Sequence, residues 1–106
     1  SVGLFAALAL ANQGALAVDL AETNALRRQT ANATGVCQAF DPVSEPADDN
    51  AYDVVVDAVG SGITRATSSR VVRAGGVIRG PPLSKLQDIL LESFLGFRGP
   101  LGLLVQ

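Results

Sequence analysis

Apolar positions along this chain fall into short runs separated by polar or glycine-rich breaks, and the period of each run predicts an element. From Leu4 to Gln13, LFAALALANQ contains strong helix formers, no proline and apolar residues on nearly every face. That is the pattern of a helix pressed against a sheet, and Gly14 stops it. Ala15-Leu16-Ala17-Val18-Asp19 is short, apolar and closed by an acid, as in a central parallel strand with a polar residue at its carboxyl end. Glu22 to Thr34 mixes Ala25, Leu26 and Ala33 with polar residues and ends at Gly35, which predicts a surface helix with a glycine stop. Val36 to Phe40 follows as a short strand. Asp41 to Asn50, DPVSEPADDN, holds two prolines and four acids and reads as a solvated loop. Asp53 to Gly60, DVVVDAVG, has the β-branched run of a buried strand ending in small residues. Ile63 to Ala74 then predicts a helix, and Gly75-Gly76-Val77-Ile78 a turn into another strand. Strands alternating with helices, the strands of buried type, predict an open parallel α/β sheet.

Composition narrows what such a sheet can do. The chain has 106 residues, enough for one small domain with a core. Eight Lys and Arg against ten Asp and Glu give a net charge of -2 with no long run of either sign, which leaves no basic footprint for a nucleic acid. Cys37 is the only cysteine and histidine is absent. Neither a disulfide framework nor a cysteine/histidine zinc site can be assembled from these residues, and the commonest general base is missing. Self-contained hydrolase chemistry is disfavoured, no residue is assigned as catalytic or metal-ligating, and Cys37 reads as buried packing. The acids of the Asp41 to Asn50 loop read as solvation, since calcium loops need a defined ligand spacing. The apolar stretch from Val2 to Ala17 has no Lys or Arg before it, is interrupted by Asn12, Gln13 and Gly14, and is too short to span a bilayer. It reads as helix plus strand in a cytoplasmic protein, not as a secretory signal or membrane anchor.

A chain that opens on a buried helix lacks the strand which that helix should follow. In the dinucleotide fingerprint G-x-G-x-x-G the third glycine stands at the helix start, where the absence of a side chain lets helix and strand pack closely. Gly3 fits that place, with Ser1 and Val2 as the intervening residues, so the first strand and first two glycines are expected before Ser1. An acid about 20 residues after the first glycine should hold the adenosine ribose, and Asp19 lands there. A carboxylate at this point repels the 2′-phosphate of NADP and favours NAD. Arg27 and Arg28 are the residues that would accommodate the phosphate instead.

Together these stretches resemble the medium-chain dehydrogenases of the zinc-dependent alcohol and polyol type. VGLFAALALANQGA is similar to the segment after that family's fingerprint glycines, and AVDL to its second strand. DVVVDAVGSGITRATSSRVVRAGGVI is similar to its fourth strand, helix and fifth strand. The resemblance covers residues 1–80 and implies a Rossmann-type doubly wound parallel sheet, truncated at its N-terminus so that the first strand is missing. It implies that Ser1, Val2 and Gly3 approach the pyrophosphate and that Asp19 holds the ribose beside Arg27 or Arg28. It further implies that Ala58 and Val59 pass under the cofactor and that Gly80 lies near the nicotinamide. The implied reaction is hydride transfer between an alcohol or polyol and NAD, with a catalytic zinc polarising the alcohol oxygen. The zinc ligands belong to a separate catalytic domain absent from this sequence, so the fragment alone is expected to be inactive.

Residues 81–106 depart from the family pattern, and from Arg79 onward RGPPLSKLQDILLESFLGFRGPLGLLVQ reads as a divergent or poorly ordered tail. Its apolar residues, or the sheet edge, could serve a contact between copies of the chain. Two other readings stay open. An S-adenosylmethionine-dependent methyltransferase also has a Rossmann-like sheet, an acid ending the second strand and a glycine pair like Gly75-Gly76. A non-catalytic nucleotide-binding domain would keep the fold without the chemistry.

Overall fold

A computed structural model of the chain describes residues 2–12, 17–80 and 102–106. Among these residues five strands form one sheet in which every pairing is parallel, with helices on both faces. In chain order the elements are α1 (Val2–Asn12), β1 (Ala17–Ala21), α2 (Ala25–Ala33), β2 (Gln38–Phe40), β3 (Tyr52–Val56), α3 (Gly62–Val71), β4 (Val72–Arg79) and β5 (Gly102–Val105). Across the sheet the strands run β2-β1-β5-β3-β4. This is an α/β fold. No described helix is long and apolar enough to cross a membrane.

The pleat sorts apolar side chains into two layers, because successive strand residues point to opposite faces. Val18 and Leu20 of β1, Val54 and Val56 of β3, and Leu103 and Val105 of β5 pack with Ala6 and Ala7 of α1 and Ala31 of α2. Val55 and Leu104 pack on the opposite face with Val71 of α3, and Phe40 and Ala47 lie beside them. The small alanines of α1 let the helix sit close over β1 and β5. Buried strand segments of this kind read as continuous apolar runs, as Val54 to Val56 and Leu103 to Val105 do.

Next to β1, on the side away from β2, lies β5. Val18 aligns with Leu103, and Leu103 in turn aligns with Val54, so the last strand of the sequence bridges the two halves of the sheet. Three consecutive apolar residues, each at most 1% exposed, suit that central position. Within the expected tail, residues 81–101 lie outside the described residues, whereas residues 102–106 form part of the core.

Asp53 fixes the start of β5. Its Oδ2 accepts from the Gly102 N–H at 2.7 Å, and its Oδ1 accepts from Arg73 Nε. Burial works against the charge on Asp53, but the Gly102 N–H and the Arg73 guanidinium outweigh it and hold the carboxyl below its ordinary range.

Local chemistry moves several boundaries away from the expectation. The strand expected to end at Asp19 runs on to Ala21, because Leu20 occupies the same buried face as Val18. The helix expected to reach Ala74 ends at Val71, and Val72 turns extended to align with Tyr52. Gly75 and Gly76 lie inside β4 instead of forming a turn before it. Gly75 has φ +78°, and a Cβ at Gly76 would stand 2.8 Å from the Asp53 carbonyl oxygen, so both glycines absorb the register shift against β3. The helix expected over Glu22 to Thr34 begins at Ala25, since Asn24 caps it by accepting from the Arg27 N–H at 3.0 Å.

Candidate functional site

In a doubly wound sheet, ligands bind beyond the carboxyl ends of the strands where successive connections leave in opposite directions. Here the connection after β1 runs outward with α2 on one face, and that after β3 runs outward with α3 on the other. The crevice between them opens over the end of β5.

Two clefts meet there. One, of about 220 Å³, is lined by Gly3 at the start of α1, Leu20, Ala21 and Glu22 at the end of β1, Arg27 of α2, and Ala58, Val59 and Gln106. The second, of about 230 Å³ and mostly apolar, lies on the α3 side between Phe40, Pro42, Val43, Ile63 and Thr67. Ala21 and Gln106 line both clefts and form the waist between them.

Each wall has a local cause. A Cβ on Gly3 would lie 3.3 Å from Leu20 Cδ1 and 3.9 Å from the Gln106 carbonyl carbon, so glycine brings the first turn of α1 close to the sheet. That first turn carries no acidic residue. The helix dipole at that end therefore favours an anion. Glu22 is the first residue past β1. Its Oε2 accepts from the Asn24 N–H at 3.2 Å, and its Oε1 lies 3.9 Å from Arg27 Nη1.

On the other wall, Asp57 is the first residue past β3 and accepts from the Val59 and Gly60 N–H groups at 3.0 and 2.9 Å, which turns the chain toward α3. The Ala58 N–H donates to the Gln106 carbonyl oxygen at 2.9 Å and ties this turn to β5. The Gln106 side chain donates from Nε2 to Thr64 O and Ser68 Oγ, which anchors the waist to α3. Ser61 and Thr64 form a reciprocal cap at the start of that helix.

Compared with protein-family models, with curated proteins and with solved structures, the chain matches none. What the site can do therefore rests on its own geometry.

Of the residues that the sequence singles out, Gly3, Arg27, Ala58 and Val59 converge on one cleft. Val2 opens α1 beside them, and Ser1 lies outside the described residues. Gly80 follows β4, where a Cβ would stand 4.0 Å from the Asp57 carbonyl oxygen. Arg28 does not line the cleft: it donates to the Glu22 and Thr23 carbonyl oxygens, both at 2.9 Å, and lies 3.9 Å from Asp41.

Asp19 is not at the strand end. It sits in mid-strand and lines a separate hollow under the 45–51 loop, where its Oδ2 accepts from the Tyr52 hydroxyl at 2.7 Å. Burial, that hydrogen bond and the charges of Asp19 and Asp48 raise the Tyr52 pKa well above its ordinary value. The acid at the cleft is Glu22 instead. Its signal in the sequence was the alternation Val18, Leu20 against Asp19, Ala21, which carries the strand past Asp19 and makes Glu22 the first polar residue beyond it.

Among the described residues no group of three or more His, Cys, Asp and Glu side chains is arranged to hold a metal ion. Cys37 is half-buried near the Ala31 carbonyl oxygen, and burial pushes its thiol up, away from the reactive thiolate.

Proposed function

We propose that this chain is the cofactor-binding part of an NAD-dependent oxidoreductase of the medium-chain, zinc-type alcohol or polyol dehydrogenase kind, built on a Rossmann-type sheet. The observation that carries the reading is the pair of clefts joined at Ala21 and Gln106, one beside a helix N-terminus and the other apolar. A dinucleotide has the same division of character. Its pyrophosphate suits the N–H groups at the start of α1 beside Gly3, and a flat base suits the apolar cleft between Phe40, Pro42 and Ile63.

Glu22, which lines the first cleft next to the waist at Ala21, is then the acceptor for the adenosine ribose hydroxyls. Arg27 stands beside it, held by the same carboxylate. Ala58 and Val59 offer small side chains and backbone to the cofactor as it crosses β3. When bound, the nicotinamide supplies the hydride acceptor for an alcohol substrate, and the zinc of a separate catalytic domain supplies the Lewis acid. The part played by this chain is to bind and orient.

Isothermal titration of the chain with NAD, NADP and S-adenosylmethionine tests the reading. NAD should bind more tightly than NADP, because the Glu22 carboxylate opposes a second phosphate. Glu22→Gln should narrow that preference by about tenfold, the effect of roughly 1.4 kcal/mol of repulsion between charges a few ångströms apart at the protein surface. Binding of S-adenosylmethionine without NAD would assign the site to a methyl donor and refute the dehydrogenase reading.

A further inference from the structure

The side-chain amide of Gln106 is held by its nitrogen alone. Nε2 donates to the Thr64 carbonyl oxygen at 3.0 Å and to Ser68 Oγ at 2.7 Å. A backbone carbonyl can only accept, so the first of these contacts fixes which end of the amide is the nitrogen, and both of its N–H groups are spent on α3. Oε1 accepts no hydrogen bond among the described residues.

The place of Oε1 follows by exclusion. Gln106 is 9% exposed. Among the described residues, the one unpartnered side-chain oxygen shut off from solvent belongs to Asp57, so Gln106 Oε1 keeps an open surface. The residue lines two spaces, the cleft beside α1 and the apolar cleft. Its backbone serves the first, where a Cβ on Gly3 would lie 4.0 Å from the Gln106 carbonyl oxygen. Its side chain runs the other way, to α3, and joins Thr64 and Leu104 in lining the apolar cleft. Oε1 therefore opens into the apolar cleft. Two other polar side chains there are committed elsewhere: Thr64 Oγ1 to the Ser61 cap, and the Arg70 guanidinium to the Ala47 carbonyl oxygen and Asp49.

A carbonyl oxygen left unpaired in an apolar cleft gains from a ligand that brings an N–H to it and is opposed by one that brings a second acceptor. Purines divide on that point. Adenine carries an amino group at its six-position, and hypoxanthine, of nearly the same shape, carries a carbonyl there.

We propose that Gln106 Oε1 accepts a hydrogen bond from the amino group of the base and makes the apolar cleft select adenine over an oxo-purine. This rests on the nucleotide reading above.

The test is calorimetric titration of the wild type and Gln106→Met with NAD and with nicotinamide hypoxanthine dinucleotide, which replaces that amino group by a carbonyl. Methionine nearly conserves the volume and brings no carbonyl, and Ser68 Oγ keeps its bond to the Thr64 carbonyl oxygen at 2.9 Å, so no hydroxyl on α3 is stranded. The wild type should bind NAD at least about tenfold more tightly than the hypoxanthine dinucleotide, and the variant should bind the two within about twofold of each other. A purely structural Gln106 would weaken both ligands alike and leave their ratio unchanged. Equal binding of the two by the wild type, or a preference that survives in Gln106→Met, overturns the proposal while leaving the nucleotide reading intact. Failure of the wild type to bind either overturns both. Should the variant not fold, the side-chain ¹H–¹⁵N resonances of wild-type Gln106 decide. A hydrogen bond at Oε1 polarises the amide, so they should move downfield on adding NAD and not on adding the hypoxanthine dinucleotide, and the same response to both ligands would refute the role.

Discussion

Leu104→Ala is expected to lower the free energy of unfolding by about 2–5 kcal/mol, the cost of emptying a fully buried leucine site. Leu104 is 1% exposed, aligns with Asp19 of β1 on one side and Val55 of β3 on the other, and packs with Val55 and Val71 against α3. Domains of this size have roughly 5–15 kcal/mol in total, so the loss takes a large part of what holds the fold together. Leu104→Asp places an unpaired carboxylate in the same layer and should abolish cooperative unfolding altogether. Denaturant titration followed by circular dichroism measures both. A loss within about 0.5 kcal/mol for the alanine variant, the usual range for a surface position, would show that β5 does not occupy the centre of the sheet.

Asp53→Ala should cost about 1.5–3 kcal/mol, because it removes a charged acceptor from the Gly102 N–H and from Arg73 at once. Its pH dependence has a definite sign. The folded-state pKa of Asp53 is lowered, so the carboxylate stabilises the fold fully above the unfolded value, about 3.9, and that contribution fades as pH falls through the lower folded value. The difference in stability between wild type and variant should therefore be constant from pH 5 to 7 and shrink in strongly acid solution. A difference that grows on acidification would contradict the assignment of Asp53 as the clasp on β5.

The parts of the fold that were legible in the sequence are those governed by local periodicity. VGLFAALALAN, the β-branched run YDVVV and the capped segment from Ser61 to Val71 each fold much as their pattern predicts, since their apolar spacing and caps lie within a few residues. The seat of GLLV was not legible. Three apolar residues behind a glycine are compatible with strand, helix or coil, and only pairing with both β1 and β3, about 80 and 50 residues away in sequence, selects a central strand.

The candidate site divides in the same way. Gly3, Ala58 and Val59 were legible because glycine and small residues at strand and helix ends have backbone roles fixed by local geometry. Asp19 was expected at a strand end that lies two residues further on. One residue decides which face of a sheet a side chain takes, and here two decide whether it meets the crevice or the Tyr52 hydroxyl.

On the proposed reading, the crevice over β5 binds a dinucleotide across its waist. Mapping amide chemical-shift changes on addition of NAD tests it most directly. The shifts should concentrate at Gly3, Ala21, Glu22, Ala58, Val59 and Gln106, with a second group at Phe40 and Ile63 across the waist. Shifts confined to Asp19, Glu45 and Tyr52 around the other hollow, or no shifts at saturating NAD, would contradict it.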